Sequence, residues 1–238
     1  MKERILSQSF LSVPIAHRGL FNETFPENSI PAFYNAIKNG FPIELDVQLT
    51  KDNKVVVFHD ATLLRMTGEI GLIKNYTYEN LQKLSLKNSN EKIPLLSEAL
   101  SLIDGKVPIL IEIKKCKKRI IKLLFNLLKD YKGEYALQSF YPFMLKKARE
   151  KFKGVAIGQL VNAHTGKKSL KNFIIFDFLM LKVISKPQFI SMPFYHDKKK
   201  INRNKYKVLA WTVKNSTERK IAEKFADNII FENLQTLK

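Results

Sequence analysis

The sequence predicts an α/β protein with the (β/α)8 TIM-barrel fold and a small insertion after the second strand region. Short apolar runs that resemble strands alternate with helical patterns along the chain. The 238 residues fit the ~250 residues that such barrels typically have. An open doubly wound sheet would need a glycine-rich phosphate loop after its first strand, and the sequence has none there. We therefore predict a single barrel domain over residues 1–238, with 61–93 as the insertion.

The strands are predicted from apolar content and from alternation. Between Ile43 and Leu49, apolar and polar side chains alternate, as expected when successive residues point to opposite faces of a sheet. The segment from Val107 to Lys114 is the clearest buried strand. Further strands are predicted at 13–16, 55–58, 135–140, 155–160, 177–181, 207–213 and 228–231.

The helices are predicted from apolar residues at helical spacing. The segment 117–131 has an apolar stripe on an otherwise basic helix. Ser216 is expected to cap a helix that continues to Phe225. Other helices are predicted at 26–40, 78–84, 93–100 and 144–152.

The composition limits the partners and the compartment. The net charge of +19, from 41 Lys+Arg against 22 Asp+Glu, should attract anions such as nucleic acid, lipid headgroups or phosphorylated substrates. The charge is spread evenly, which also fits a lysine-rich composition without a functional meaning. The single cysteine, Cys116, excludes an intramolecular disulfide and a cysteine metal cage. No transmembrane run or ordinary signal peptide is visible, so a cytoplasmic protein is expected.

Carboxylates lie near the ends of two predicted strands, where the active residues of such barrels are found. Glu44 and Asp46 share one face of the second strand, and Glu112 shares a face with Lys114. Three carboxylates that converge without a cysteine favour a hard divalent cation, Mg²⁺ or Ca²⁺. The alternative is a buried ion network in which these carboxylates pair with Lys114 and Arg18.

Two histidines accompany these carboxylates: His17 ends the first strand and His59 follows the third. Cleavage of a phosphodiester takes one proton from a nucleophile and gives another to a leaving oxygen, and imidazole can do either near neutral pH. Arg18 offers a planar fork that can grip phosphate oxygens. His164 and His196 lie in polar, loop-like stretches and are interpreted as solvated surface groups.

Four motifs follow one another in the chain: His17-Arg18-Gly19, Pro26-Glu27-Asn28, Glu44-x-Asp46 and His59-Asp60. In this order they resemble the signature of the glycerophosphodiester phosphodiesterase family, which belongs to the phosphatidylinositol-phospholipase-C-like barrel phosphodiesterases. The similarity continues through LLRMTG, IPLLSEAL, QSF at 138–140 and WTV at 211–213. It therefore spans nearly the whole chain.

The resemblance implies metal-dependent hydrolysis of glycerophosphodiesters, such as glycerophosphocholine, to sn-glycerol 3-phosphate and an alcohol. In this family a neighbouring glycerol hydroxyl is the first nucleophile, and water then opens a cyclic phosphate. By resemblance, His17 and His59 are the general acid and base, and which is which stays open. The metal ligands implied are Glu44, Asp46 and Glu112.

The resemblance also implies a substrate site. Arg18 and Lys114 would contact the phosphate. Phe140 and Trp211 would either contact the glycerol carbons or belong to the barrel core. The sequence departs from the family pattern near its end, where Lys214 replaces an asparagine and 231–232 replace a Thr-Asp pair. These departures affect substrate choice and leave the proposed ligands and histidines unchanged.

Two other functions remain open. A phospholipase-type enzyme of the same barrel superfamily would cleave lysophospholipid or phospholipid headgroups at a membrane surface, with the basic helix at 117–131 on anionic lipid. A basic nucleic-acid-binding module would explain the positive charge. It would not explain clustered carboxylates, which repel a phosphate backbone unless a metal neutralises them.

Overall fold

The computed structural model describes residues 6–161, 180–195 and 204–237. In these residues the α-helices are α1 (Ser9–Ser12), α2 (Ile30–Lys38), α3 (Leu64–Thr67), α4 (Tyr78–Gln82), α5 (Leu96–Ile103), α6 (Ile120–Leu128), α7 (Pro142–Lys151) and α8 (Ser216–Ala222). The strands are β1 (Ile15–Ala16), β2 (Ile43–Leu49), β3 (Val55–Val57), β4 (Ile109–Ile113), β5 (Tyr135–Ser139), β6 (Ile157–Leu160), β7 (Phe189–Pro193), β8 (Lys207–Val213) and β9 (Asn228–Phe231). Short 3₁₀ helices lie at Ile73–Asn75 and Leu234–Leu237, and a π-helix at Met180–Ser185.

The described strands form one sheet with the order β1-β9-β8-β7-β6-β5-β4-β2-β3, and β1 also pairs with β2. This last pairing closes eight strands into a parallel barrel, so the predicted TIM-barrel fold is confirmed. β3 is different, because it runs antiparallel to β2 with Val57 opposite Val47. The third predicted strand is therefore not one of the eight strands of the barrel.

The chain divides into two compact units, of which one comprises Ile15–Tyr135. In this unit β2 and β4 run parallel and are buried along their whole length. α2 packs against α5. Ser29 caps α2, because its hydroxyl accepts a hydrogen bond from the Ala32 backbone at 3.3 Å. The helix thus begins later than its predicted start at Pro26, and the residues before Ser29 are free to form a loop.

The predicted insertion at 61–93 lies in the same unit and shares a small hydrophobic core with β3. The buried members of this core come from β3, α3, α4, the 3₁₀ helix at Ile73–Asn75 and the neighbouring loops: Val56, Phe58, Leu63, Met66, Ile73, Leu81, Leu86 and Ile93. Leu63 and Met66 are buried in this core. Leu64 and Arg65, which lie between them in the sequence, are more exposed to solvent. The apolar residues therefore hold α3 in place and leave Arg65 on its polar side.

The other unit comprises Met1–Pro14 and Ala136–Lys238. Within it β6, β7, β8 and β9 pair in parallel. α7 packs against the π-helix and against β6. Asn228 Nδ2 donates hydrogen bonds to the carbonyls of Phe10 and Val13, at 2.8 and 2.7 Å, which attaches the N-terminal segment to β9.

The structure differs from the sequence-based predictions at two places in this unit. The strand predicted at 177–181 lies mostly outside the described residues, and Met180 and Leu181 begin the π-helix. The strand in this region is β7, which the sequence analysis did not predict. Asn215, not Ser216, caps α8, because its side chain accepts a hydrogen bond from the Glu218 backbone at 2.9 Å.

In the described part of the chain, every helix is too short or too polar to cross a membrane.

Candidate active site

Three carboxylates lie side by side on the two central strands of the Ile15–Tyr135 unit. Asp46 on β2 is in register with Glu112 on β4, and Glu44 lies two residues earlier on the same face of β2. All three side chains are buried. One carboxylate oxygen from each lies within 4.8 Å of the corresponding oxygens of the other two. Pleating and parallel register thus bring distant acidic residues into one cluster.

Two cations neutralise part of this cluster. Lys114 Nζ lies 2.7 Å from Glu112 Oε1 and 3.3 Å from Asp46 Oδ1. Arg18 Nε lies 3.5 Å from Asp46 Oδ2 and donates no hydrogen bond within the structure described. The ion pairs that the sequence left as an alternative to a metal site are therefore present.

The loop between β1 and α2 holds Arg18 against the cluster. Arg18 has a positive φ of 57°, and its backbone N–H donates to Glu44 Oε2 at 3.1 Å. Gly19 follows with a φ of 79°, and a Cβ there would meet Phe33 Cδ1 at 2.9 Å. Only glycine adopts this backbone without strain and fits that close approach. The Gly of the His-Arg-Gly tripeptide therefore permits the sharp turn that follows Arg18.

Asn28 closes the other end of this loop. Its φ is also positive, at 56°, and its backbone N–H donates to the Arg18 carbonyl at 2.9 Å. Its side chain donates to Asp46 Oδ2 at 2.9 Å and accepts from the Asp46 backbone at 3.3 Å. Asn28 thereby fixes both the loop and the orientation of one carboxylate.

The two histidines lie at the edge of the cluster. His17 Nε2 is 3.9 Å from Glu44 Oε2. His59 Nδ1 forms a hydrogen bond of 2.6 Å with Asp60 Oδ1. Asp46 interacts electrostatically with both imidazoles, so both are near the same carboxylate. Gln48 fixes the second histidine's backbone, because its amide donates to the carbonyl of His59 at 3.1 Å.

Burial and charge set the protonation of the cluster. Burial, followed by the charges of Asp46 and Glu112, raises the pKa of Glu44 well above its usual value. Burial and the charge of Asp46 raise the pKa of Glu112 to about 7. Burial would also raise the pKa of Asp46, but Lys114 and other nearby cations lower it to about 2. Without further positive charge, the cluster is therefore partly protonated at neutral pH.

Sequence reasoning missed a second layer of charged residues around the site. Glu27 Oε1 accepts hydrogen bonds from Arg18 Nη1 and Arg65 Nη2, each at 2.7 Å. Arg65 Nε also donates to Asp60 Oδ2 at 2.5 Å. Glu27, Asp60 and Arg65 all lie in motifs that the sequence matched to the family, without a role of their own. Their motif membership was the available signal.

In the other unit, uncharged polar and aromatic side chains lie on or beside the strands. Phe140 and Trp211 contact each other edge to face, with ring centroids 5.8 Å apart. Trp211 Nε1 is buried and finds no hydrogen-bond partner in the part of the chain described. Gln138 Oε1 accepts a hydrogen bond from the buried Ser191 hydroxyl at 2.7 Å, and the buried Gln159 Oε1 accepts none within the described residues. His164 and His196, expected at the surface, lie outside the described residues.

Two of the departures from the family pattern lie close together in this unit. Lys214 Nζ is 2.9 Å from Glu232 Oε2. The lysine that replaces an asparagine thus pairs with the glutamate of the altered Thr-Asp position. Glu232 keeps the negative charge of the aspartate it replaces, and this charge pairs with the positive charge that Lys214 adds.

Comparison with known proteins identifies the family. The family model of the "Glycerophosphoryl diester phosphodiesterase family" matches residues 17–233. The chain belongs to the glycerophosphoryl diester phosphodiesterase family. It is a phosphoric diester hydrolase, as the sequence motifs indicated.

One relative and two solved structures are similar to the chain over most of its length. The chain is 32% identical over 230 residues to YhdW of Bacillus subtilis (strain 168), which is named as a candidate glycerophosphodiester phosphodiesterase. The match covers 91% of this chain and 92% of the relative. The crystal structure of a glycerophosphodiester phosphodiesterase from Thermotoga maritima matches with a TM-score of 0.74 and 26% identity, covering 94% of this chain and 96% of that one. An Oleispira antarctica phosphodiesterase in complex with the product sn-glycerol-3-phosphate matches with a TM-score of 0.77 and 24% identity, covering 94% of each chain.

The phosphodiesterase's buried cluster has the chemistry that a divalent cation requires. Its donors are all oxygens, which suits Mg²⁺ or Ca²⁺ better than softer metals. Asp46 Oδ1 is buried and accepts no hydrogen bond from any described residue, although Lys114 Nζ lies 3.3 Å away. Unsatisfied buried polar atoms are costly, so this oxygen needs a further partner. Glu44, Asp46 and Glu112 therefore fit the role of metal ligands.

Proposed function

We propose that this enzyme hydrolyses glycerophosphodiesters, such as glycerophosphocholine, to sn-glycerol 3-phosphate and an alcohol. The observation that carries the proposal is the buried cluster of Glu44, Asp46 and Glu112, with His17 and His59 close to the same carboxylates. A phosphodiester placed against this cluster would have an imidazole available for each proton transfer.

The cations at the cluster would bind the phosphate. Arg18 Nε is buried without a hydrogen-bond partner among the described residues, so it can donate to a phosphate oxygen. Its Nη1 is held by Glu27 at 2.7 Å, which fixes the plane of the guanidinium. Lys114 would add a point charge beside Glu112. Both groups would stabilise the negative charge that develops on the phosphate oxygens during the reaction.

The two imidazoles would exchange the protons. In the neutral tautomer, a hydrogen bond from His59 Nδ1 to Asp60 leaves Nε2 with its lone pair. Burial lowers the pKa of His59, which favours the neutral form, while Asp46 opposes the shift. One imidazole would take the proton of the attacking hydroxyl, and the other would protonate the leaving alcohol oxygen. The roles would reverse when water attacks in the second step.

Glu44, Asp46 and Glu112 would hold a divalent cation, Mg²⁺ or Ca²⁺. When bound, such a cation supplies Lewis-acid stabilisation of the phosphate charge. The three side chains need their deprotonated forms for this, and the positive charge of a cation would favour those forms.

Glycerol recognition is proposed for Phe140 and Trp211. Their edge-to-face pair forms an apolar surface suited to glycerol carbons, and Trp211 Nε1 is a buried donor without a partner in the described chain. Glycerol 3-phosphate as the product is consistent with the Oleispira antarctica phosphodiesterase, whose structure contains it.

The test is an assay of purified, chelator-treated protein with Mg²⁺ or Ca²⁺ added back. The substrates are glycerophosphocholine, glycerophosphoethanolamine and lysophosphatidylcholine, and the readout is glycerol 3-phosphate or free choline. We expect cation-dependent release of glycerol 3-phosphate. Lys114→Met should reduce the activity, whereas Lys115→Met, an exposed neighbour, should not.

Two outcomes would contradict the proposal. Activity that survives both chelation and the Lys114→Met substitution would remove the role of the cluster. Faster cleavage of lysophosphatidylcholine than of any glycerophosphodiester would instead assign the enzyme to the phospholipase-type reaction.

A further inference from the structure

Arg65 lies where two chains of hydrogen bonds meet. Its Nη1 and Nη2 donate to the two oxygens of Glu27, each at 2.7 Å. Its Nε and Nη2 donate to the two oxygens of Asp60, at 2.5 and 3.1 Å. One guanidinium therefore holds two carboxylates at once, each through a pair of hydrogen bonds.

Each of these carboxylates continues to a group of the candidate active site. Glu27 accepts from Arg18 Nη1 at 2.7 Å, and Asp60 forms a 2.6 Å hydrogen bond with His59 Nδ1. The phosphate-binding arginine and one imidazole thus share a single support. Arg65 touches neither of them directly in the contacts that the structure shows.

We propose that Arg65 is a positioning residue that fixes Arg18 and His59 relative to each other, through Glu27 and Asp60. The inference rests on the proposed function of the site. It also assigns a purpose to the insertion at 61–93, because the core around Leu63 and Met66 holds the helix that carries Arg65.

The geometry favours positioning over simple stabilisation of the fold. The Arg65 side chain is 45% exposed, so solvent screens its ion pairs with Glu27 and Asp60 and limits what they add to stability, although these carboxylates are only 12% and 20% exposed. A planar fork can satisfy two carboxylates in a fixed arrangement, whereas a lysine ammonium is a point charge on a flexible stem. The structure therefore uses at this position the one side chain that can bridge both groups with defined geometry.

The first test compares Arg65→Met with Arg219→Met. Arg219 is a suitable control because it lies on the short helix α8 and its loss changes the net charge equally. Its Nε pairs with Glu223 Oε1 at 2.6 Å, and its Nη1 donates to the Leu237 carbonyl at 2.7 Å. We expect kcat of Arg65→Met to fall on the order of 10²-fold, the cost of a misplaced catalytic group. KM and the thermal midpoint should change little, and Arg65→Lys should restore only part of kcat.

A double-mutant cycle separates positioning from independent effects. If Arg65 acts through the two carboxylates, adding Glu27→Gln or Asp60→Asn to Arg65→Met should cost much less than the same change in the wild-type enzyme. Effects that multiply fully would overturn the proposal. Full activity in Arg65→Met would do the same.

A measurement without substrate keeps this inference separate from the proposed function. The ¹⁵N signals of the His59 imidazole, assigned with His59→Ala, should shift in Arg65→Met and in Arg65→Lys but not in Arg219→Met. Unchanged His59 signals would overturn the positioning role. If the wild-type enzyme cleaves no glycerophosphodiester while these signals shift, only the proposed function fails.

Discussion

The two compact units of this enzyme place different kinds of polar residue inside the fold. Among the described residues, the buried carboxylates all belong to the Ile15–Tyr135 unit: Glu44, Asp46 and Glu112. The buried polar side chains of the other unit are all uncharged: Gln138, Ser139, Gln159, Ser185 and Ser191. Buried charges are costly and persist where they are paired or bind a cation. The contrast agrees with the proposal that the metal ligands belong to the Ile15–Tyr135 unit.

The largest effect that could break this contrast is on turnover. His17→Ala and His59→Ala should each lower kcat by about 10²- to 10⁴-fold, because each removes a group that transfers a proton. Gln138→Ala in the other unit should leave kcat and KM near their wild-type values, because no proton transfer or substrate contact is proposed for this side chain. Initial rates of glycerol 3-phosphate release over a substrate series measure both parameters. Turnover in His17→Ala close to that of the wild type would end the proposed role of this imidazole.

Cation binding tests the buried carboxylates directly. Asp46→Asn should weaken Mg²⁺ or Ca²⁺ binding by more than about 100-fold, since loss of a ligand should exceed the 10- to 100-fold typical of residues behind the ligands. Asp227→Asn is the control from the other unit, where Asp227 pairs with Lys207 at 3.2 Å. Isothermal titration calorimetry on chelator-treated protein gives the affinities. Equal affinities in the two variants would contradict a metal site at Asp46.

Substrate recognition should show a smaller effect in the second unit. Trp211→Phe keeps an aromatic ring against Phe140 but removes the buried Nε1 donor. If this donor binds the glycerol part in ground state and transition state alike, KM should rise about 10-fold with kcat unchanged. Steady-state kinetics with glycerophosphocholine provide the measurement. A fall in kcat without a change in KM would place Trp211 in the chemical step instead.

The smallest expected effect is on stability at acidic pH. Burial alone would raise the pKa values of Asp60 and Glu27. Hydrogen bonds from Arg65 and His59 nevertheless lower the pKa of Asp60, and hydrogen bonds from Arg65 and Arg18 lower the pKa of Glu27. A lowered folded-state pKa contributes stability that is complete above the unfolded-state value of about 4 and is lost as pH falls through the folded-state value.

Thermal unfolding of the wild type and of Asp60→Asn between pH 6 and pH 3 would check this. We expect the advantage of the wild type to shrink below about pH 4, by about 2 °C or less because Asp60 is partly exposed and screened by solvent. Gln138→Leu should change the midpoint by the same amount at every pH, since its side chain does not titrate. An advantage of the wild type that grows with acidity would contradict the lowered pKa of Asp60.

The sequence predicted the parts of the site that depend on local periodicity. Alternation along β2 places Glu44 and Asp46 on one face, and the structure has this arrangement. The same reasoning placed Glu112 beside Lys114, which are now seen as an ion pair at 2.7 Å. The positions of strand ends and the order of the motifs were therefore enough to predict that these carboxylates lie together. The catalytic and ligand roles of these residues stay predictions.

The sequence did not predict contacts that join distant segments through side chains. Arg65 and Glu27 are 38 residues apart, and no periodicity relates an insertion helix to a loop after β1. The strand β7 was not predicted because its apolar run is short and the segments beside it show no clear periodicity. β3 was predicted as a strand, but only pairing partners reveal that it is antiparallel to β2 and outside the barrel.

By itself, the sequence determined the fold class, the family motifs and the faces on which acidic residues lie, because these follow from spacing along one segment. The tertiary structure alone decided which charges meet: that Asp46 aligns with Glu112, that Asn28 orients Asp46, and that Arg65 joins Glu27 to Asp60. Such contacts depend on loop conformation and strand register. These are set by the packing of the whole unit and leave no period in the sequence.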